Sequence, residues 1–378
     1  MKPNVSITKC GNYAFEEVWA SVRRSVELAG GIHAFVRRGE RILVKPNLLA
    51  ARPPEAAVTT HPSVVKAVIR LVKEAGGIPI VGDSPAIGSA RKVAEKCGVL
   101  QVCLEEGAEF VEMKDVVMKD NPKGRKFKRL ELARECLEVD GIINLPKFKT
   151  HAQMFLTAGV KNIFGCVPGK LKPQWHLTAG VDSAHFADML LDLYLFIAPR
   201  LTILDAIVGM EGNGPGNGTP RHLGFIMASA DAVALDTVAA ACVGADPMDV
   251  PLLKAAGLRG IKGVELEEVT VLGDAVTQVR VAGFRFPPLV SVNFTAKLPY
   301  FIDRGLRKAL TSRPSIDKKQ CTLCNICVAV CPPAIMKKTA KIEINYDTCI
   351  RCYCCQEVCP HGAITPVEGW LKRLIPGL

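Results

Sequence analysis

The sequence predicts an α/β fold: a layered, mostly parallel sheet domain followed by a small, cysteine-rich α+β domain. Two observations support this prediction. Short apolar runs alternate with helix-like patterns up to about residue 275, and nine of the fifteen cysteines lie between Cys321 and Cys359. Parallel strands need crossover connections, which are usually helices, so this alternation indicates an α/β layered domain. A chain of 378 residues is long enough for two or three domains.

Six apolar runs have the length of buried strands. These runs are residues 42–44, 78–81, 142–145, 201–208, 225–228 and 269–272. Apolar side chains also recur at helical spacing from Val64 to Ala75, where Gly76 follows as a helix end. The same spacing recurs from Phe186 to Ile197. We therefore expect a helix in each of these two segments.

A basic connector separates the two predicted domains. Pro287 and Pro288 interrupt the chain, and many lysines and arginines follow them. We expect one helix there, with a solvated charged face favoured over a binding patch. The predicted boundaries are an α/β domain over residues 1–283, the connector over 284–313, the small domain over 314–366 and a tail over 367–378.

The small domain contains one cysteine motif twice. The pattern Cys-x-x-Cys-x-x-Cys-x-x-x-Cys-Pro begins at Cys321 and recurs 28 positions later at Cys349. In this spacing three cysteines of one run and the fourth of the other hold each 4Fe–4S cluster. Zinc sites instead pair two Cys-x-x-Cys units across a longer loop. The predicted ligand sets are Cys321, Cys324, Cys327 and Cys359 for cluster one, and Cys349, Cys352, Cys355 and Cys331 for cluster two. Cys354 is outside the pattern, and we expect a buried thiol there.

Polar residues at the ends of the predicted strands indicate a ligand site in the first domain, because ligands of open parallel sheets bind beyond the carboxyl ends of the strands. Several of these residues are lysines, which favours a small anionic ligand. The catalytic candidates are Lys147, Lys149 and His151. The ligand-binding candidates are Lys45, Asn47, Asp83, Ser84, Lys161, Asn162, Asp205, Glu211, Gly214 and Gly216.

Other motifs carry weaker predictions. The glycine-rich loop over residues 212–218 lacks the Lys-Ser/Thr ending of a P-loop and the dinucleotide fingerprint, so a structural crossover is favoured over a ligand loop. Local capping or packing is favoured for His61, and a helix cap for Asp231. The spacing of His151, His176 and His185 is not diagnostic of a metal site.

Five segments of the α/β domain resemble the family catalogued as domain of unknown function 362. They are Thr-His-Pro-Ser-Val-Val at 60–65, Gly-Asp-Ser-Pro at 82–85, Pro-Lys-Phe-Lys-Thr-His at 146–151, Val-Lys-Asn-Ile-Phe-Gly at 160–165 and Asp-Ala-Val-Ala-Leu-Asp at 231–236. The resemblance covers about residues 40–255, and members often carry a C-terminal pair of ferredoxin motifs. The cysteine-rich segment resembles bacterial two-cluster ferredoxins. The family resemblance draws attention to Lys147, Lys149, His151, Lys161 and Asn162, but it implies no reaction and no substrate.

Taken together, these features predict an iron–sulfur redox protein with two 4Fe–4S clusters that exchanges electrons with a redox partner protein. The α/β domain would bind a small anionic substrate or cofactor, as in an oxidoreductase. Two alternatives stay open: a non-catalytic docking or assembly domain that delivers the ferredoxin module to a larger redox complex, and clusters that are purely structural in a ligase-like or lyase-like enzyme.

Composition excludes some classes of partner. The formal net charge is +11, but the basic residues are scattered and aromatic residues make up only 6%, so we expect no nucleic-acid binding. No uninterrupted apolar run approaches the ~20 residues of a transmembrane helix. The N-terminus has no apolar signal-peptide core. We therefore expect a cytoplasmic protein without a transmembrane segment.

Overall fold

The computed structural model describes residues 2–180, 182–288 and 311–369. Its first domain contains a ten-stranded sheet, in which six of the nine strand pairings are parallel. The predicted α/β class is confirmed. The strands of this domain, including a separate hairpin of β5 and β6, are β1 (Asn4–Lys9), β2 (Arg41–Pro46), β3 (Ile78–Asp83), β4 (Glu109–Glu112), β5 (Val116–Asp120), β6 (Arg129–Ala133), β7 (Gly141–Leu145), β8 (Lys147–His151), β9 (Phe155–Thr157), β10 (Leu201–Glu211), β11 (Thr219–Ser229) and β12 (Thr270–Gly273).

The strand order is β12-β1-β11-β10-β7-β2-β3-β4, with β8 and β9 attached beside β10. Five of the six apolar runs lie within strands of this sheet, and the sixth, 269–272, begins one residue before β12. The helices that cover it are α1 (Phe15–Leu28), α2 (Pro62–Glu74), α3 (Ala90–Lys96), α4 (Val99–Glu105), α5 (Gly159–Asn162), α6 (Lys172–Ala179), α7 (Ser183–Ile197), α8 (Ala232–Cys242), α9 (Pro251–Leu258) and α10 (Val276–Val279). The two predicted helices are α2 and α7.

The central strands β2, β7 and β10 are buried on both faces, which explains why they contain continuous apolar runs. Successive residues of β2 enter different cores: Ile42 and Val44 pack in one hydrophobic cluster and Leu43 in the other. Helix ends follow the sequence signals. The backbone N–H of Ser63 donates to Nδ1 of His61 at the start of α2, and Asp231 accepts from two backbone N–H groups at the start of α8.

A step in the chain between β7 and β8 positions the polar end of the sheet. Strand β10 pairs with β7 at Thr202 and then with β8 at Asp205, because the chain shifts at Pro146 and continues beside the same strand. The backbone N–H of Asp205 donates to the carbonyl of Pro146 at 3.0 Å. Strand β8 therefore extends the carboxyl end of the sheet, where its alternate residues Lys147, Lys149 and His151 share one face.

The second domain is small and has its own hydrophobic cluster. Strand β13 (Arg313–Ile316) pairs with β16 (Ile364–Val367), and β14 (Met336–Lys338) pairs with β15 (Ile342–Ile344), both antiparallel. Two one-turn helices, Ile326–Ala329 and Cys354–Glu357, lie between them. We call residues 311–369 the ferredoxin module. Most of the predicted connector and tail, residues 289–310 and 370–378, lies outside the described residues. No helix in the described ranges is long and apolar enough to cross a membrane.

Candidate functional site

Two cavities in the ferredoxin module are each lined by four cysteines. The first is lined by Cys321, Cys324, Cys327 and Cys359. The second is lined by Cys331, Cys349, Cys352 and Cys355. Each cavity thus takes its fourth cysteine from the other run of the motif. The remaining walls are largely isoleucine, methionine and proline side chains, and four thiols in an apolar setting fit a 4Fe–4S cluster.

The glycine-rich loop over residues 212–218 holds the ferredoxin module against the α/β domain. The side-chain amide of Gln356 donates to both oxygens of Asn213, at 3.1 and 2.8 Å, and to the carbonyl of Gly214 at 3.0 Å. The Asn217 amide donates in return to the carbonyl of Cys359 at 3.1 Å. A Cβ on Gly214 would stand 2.3 Å from the carbonyl oxygen of Thr150, so this close packing requires glycine. The loop is therefore a docking element.

Replacing Gln356 by Ala is expected to loosen this contact. The half-buried carbonyl of Asn213 and the buried carbonyl of Gly214 would lose their donor, and leaving a buried polar group unpaired costs about 1–3 kcal/mol. Hydrogen exchange of the amides in residues 212–218 should accelerate in Gln356→Ala and stay unchanged in Lys337→Ala, which alters an exposed residue of the same module. Equal exchange in the two variants would contradict the docking role.

His151 makes a second contact between the two domains. Its Nε2 lies 2.6 Å from Oε1 of Glu357, and its Nδ1 accepts the backbone N–H groups of Gln153 at 3.0 Å and Met154 at 3.2 Å. The proton of the neutral imidazole therefore sits on Nε2, the ring nitrogen next to the Glu357 carboxylate. Burial lowers the pKa of His151 to about 4. Burial alone would raise the pKa of Glu357, but His151 and Lys161 outweigh it and lower that pKa well below its usual range.

Lys147 belongs to a buried ion pair. Its Nζ lies 2.9 Å from Oδ2 of Asp205 and 2.6 Å from the hydroxyl of Tyr13, and both charged side chains are at most 1% exposed. Asp205 also accepts from the Tyr13 hydroxyl at 2.8 Å and from the backbone N–H of His61 at 2.9 Å. Glu211 pairs with Arg285 at 2.8 Å. These three sequence-predicted residues, Lys147, Asp205 and Glu211, are thus used in contacts within the domain.

The other candidates form a polar network at the carboxyl ends of β2 and β3. Lys45 pairs with Asp83 at 2.9 Å, and Lys149 donates to Asn47 and to the carbonyl of Val58, both at 2.7 Å. Burial lowers the pKa of Lys149 to about 7. Asn47 in turn donates to Asn162 at 3.0 Å. The network therefore gathers two ammonium groups in a nearly solvent-free interior.

A pocket opens between this network and the ferredoxin module. The α/β domain contributes five of the predicted candidates, namely Asn47, Asp83, Ser84, Lys161 and Asn162. The module contributes Val330, Cys354, Glu357 and Val358. Cys354 is buried and stands in the chain between two cysteines of the second cavity, so one wall of the pocket is continuous with that cavity.

Two cations of the pocket stand out. Across the described ranges Lys161 has no hydrogen bond or ion pair, and burial lowers its pKa. Lys172 donates to the carbonyl of Ser84, and burial lowers its pKa to about 8. His176 also lines the pocket, with its Nδ1 buried and without a hydrogen bond, and burial lowers its pKa to about 3. Positive charge and unused polar groups therefore face this space.

Sequence reasoning missed Lys172, Glu357 and Cys354 as pocket residues. The signal in the chain was weak, because Glu357 reads as an ordinary residue between two cluster cysteines. Of the three histidines considered together, His185 lies against Phe127, with ring centroids 5.4 Å apart. Within the described part of the chain, no group of three His, Cys, Asp or Glu side chains could hold a single metal ion.

Comparison with known proteins gives three findings. A family model described as "Domain of unknown function (DUF362)" matches residues 42–241, and one described as "4Fe-4S dicluster domain" matches residues 313–360. A thylakoid-associated protein of Synechocystis sp. is 43% identical over 267 residues, which are 71% of this chain and 83% of the relative. The lactate racemase apoprotein from Thermoanaerobacterium thermosaccharolyticum aligns with a TM-score of 0.36 and 13% identity, over 59% of this chain and 54% of that structure. The match to the second family model shows that the chain is an iron–sulfur protein.

Proposed function

The chain belongs to the family of the domain of unknown function DUF362, and we propose that here this domain binds a small anion beside an electron-transfer module. The observation behind the proposal is the pocket that both domains line. Lys161 has no partner among the described residues and faces this pocket, and Cys354 of the same pocket adjoins the cysteines of the second cavity. A bound anion would therefore lie next to a redox centre.

We assign one 4Fe–4S cluster to each cysteine-lined cavity, which makes two in all. When bound, such clusters supply one-electron transfer at potentials that charge and hydrogen bonding tune. All-cysteine ligation leaves no open coordination position, so the substrate would be bound by the protein. Cys324 is exposed at the first cavity, which makes that end of the module accessible to a redox partner protein.

The residues of the α/β domain would bind and orient the anion. Lys161 and Lys172 supply positive charge, and the hydroxyl of Ser84 supplies a further donor. His151 packs its Nε2 2.6 Å from the carboxylate of Glu357 and so helps to hold that group at the edge of the pocket. Phe164 and Val358 add apolar wall that limits access of water. The site thus combines charge with a low-dielectric setting, in which electrostatic attraction is stronger than in water.

The alternative of a docking or assembly domain needs no ligand pocket, whereas this pocket contains buried cations that favour an anion. The relative's name, thylakoid-associated, concerns that protein, and a cytoplasmic location for this chain stays a prediction.

Native mass spectrometry of protein purified without oxygen tests the proposal. We expect a mass that accounts for two clusters plus a small molecule, and we expect the Lys161→Gln variant to lose the small molecule while it keeps both clusters. Lys170→Gln is the matched control, because Lys170 is an exposed lysine nearby in the chain. Loss of the clusters together with the small molecule, or no dependence on Lys161, would contradict the proposed site.

A further inference from the structure

Few polar groups of the pocket remain free to bind a ligand. The amide of Asn162 donates to Asn144 at 2.8 Å, and the oxygen of Asn47 accepts from Lys149. Both side chains are therefore committed to the protein. Lys161, the remaining N–H groups of Lys172, the hydroxyl proton of Ser84 and the imidazole of His176 are left for a ligand. These groups are enough to bind one charged group of a ligand. A nucleotide or a polyphosphate would have more acceptor oxygens than they could pair.

The charges around the pocket leave room for at least one negative charge. Lys45 and Asp83 form an ion pair and cancel. Lys161 and Lys172 face the single carboxylate of Glu357, and Lys149 in the network behind them contacts only neutral oxygens of Asn47 and Val58. This set therefore carries at least one excess positive charge. A buried unbalanced charge is costly, and the carboxylate of a ligand would offset it.

The remaining wall of the pocket is apolar and comes from both domains. Leu49, Ile87 and Phe164 line it on one side, and Val330 and Val358 of the ferredoxin module line it on the other. Phosphate sites commonly use a concave run of backbone N–H groups or a glycine-rich loop. The glycine-rich loop of this chain binds Gln356 instead. A strongly hydrated inorganic anion would gain nothing from an apolar wall, whereas an organic group would be desolvated favourably there.

We propose that the pocket takes an organic monocarboxylate with an apolar body, its carboxylate held by Lys161 and its body against the apolar wall. This inference rests on the proposed function and adds the chemical class of the ligand. Ligand sites in proteins commonly combine an apolar lining with a few polar groups that fix orientation.

Isothermal titration of the anaerobic holo-protein with acetate, benzoate, octanoate, benzamide and inorganic phosphate tests the class. Benzoate or octanoate should bind at least ~10-fold more tightly than acetate, because their apolar surface is buried. The affinity for benzoate should also be about 10-fold or more higher than the affinities for the neutral benzamide and for phosphate. The Lys161→Gln variant should remove the preference for benzoate over benzamide, whereas Lys170→Gln should retain it.

The outcomes separate the ligand class from the proposed function. Phosphate or acetate binding as tightly as benzoate, with sensitivity to Lys161, would overturn the monocarboxylate and leave an anion site intact. No Lys161-dependent binding of any of these anions, in protein whose iron content matches the wild type, would overturn both. Spectra of the iron–sulfur clusters serve as the check that each variant is folded.

Discussion

Replacing Cys359 by Ser is expected to remove one cluster and keep the other, so that iron falls from about eight to about four atoms per chain. The reason is the crossing of the two cysteine runs. Cys359 belongs to the second run of the sequence motif, but it lines the first cavity together with Cys321, Cys324 and Cys327. The remaining signal should therefore come from the cluster held by Cys349, Cys352, Cys355 and Cys331. Iron analysis and electron paramagnetic resonance of the reduced protein provide the measurement.

Cys354→Ser is the matched control for this prediction. Cys354 lies directly beside Cys355 in the chain, but it lines the pocket and neither cysteine cavity. That variant should keep all of its iron. The reciprocal variant Cys331→Ser should lose the other cluster and leave a spectrum different from that of Cys359→Ser. A full complement of iron in Cys359→Ser, or a lost cluster in Cys354→Ser, would refute the ligand assignment.

Asp205→Asn should be among the most destabilising single changes in the α/β domain, at about 3–5 kcal/mol of unfolding free energy. The substitution removes the negative partner of Lys147, whose ammonium is 1% exposed. It also weakens the acceptor for the hydroxyl of Tyr13 and the backbone N–H of His61. An uncompensated charge would then remain in the interior, beyond the reach of water. Chemical denaturation followed by circular dichroism measures the loss.

A surface pair provides the comparison. Arg129 and Asp120 stand 3.2 Å apart with side chains that are 74% and 80% exposed, so Asp120→Asn should leave the denaturation midpoint nearly unchanged. The double variant Asp205→Asn/Lys147→Met should be less destabilised than Asp205→Asn alone, because it removes both charges. A loss in Asp205→Asn no larger than that in Asp120→Asn would show that the buried pair does not stabilise the fold.

The apolar pattern predicted the central strands because the sheet is covered on both faces. The apolar pattern did not predict strand β8, although all five of its residues, Lys147 to His151, are buried. Three of them are charged or polar groups that alternate on one face, and their partners come from distant parts of the chain. The pattern also missed the hairpin of β5 and β6. Strand β5 begins with three apolar residues, Val116 to Met118, but most of its side chains are exposed, so it is not part of a buried apolar core. Hydropathy reports burial in an apolar core and misses burial in a polar network.

Polar residues at the ends of strands identified part of the pocket. From the sequence, however, ligand-binding residues could not be separated from polar residues that bind within the protein. Asn47, Asp83 and Ser84 follow neighbouring strands and line the pocket, as expected. Lys147 follows a strand in the same way, but it meets Asp205 in an internal ion pair. The glycine-rich loop over 212–218 could be assigned only once Gln356, more than a hundred residues away, was seen to bind it. The choice between ligand and protein partners is a tertiary property that local patterns do not encode.

The short segment from Cys352 to Cys359 serves three surfaces at once. Cys352 and Cys355 face one cysteine cavity, Cys359 faces the other, and Gln356 and Glu357 face the α/β domain. Inserting or deleting a single residue here would rotate the side chains that follow by about 100° if the turn stayed helical. Both cavities and the contact between the domains would then lose register together. Insertions and deletions in this segment should therefore be tolerated much less well than substitutions of those of its residues that face none of these surfaces.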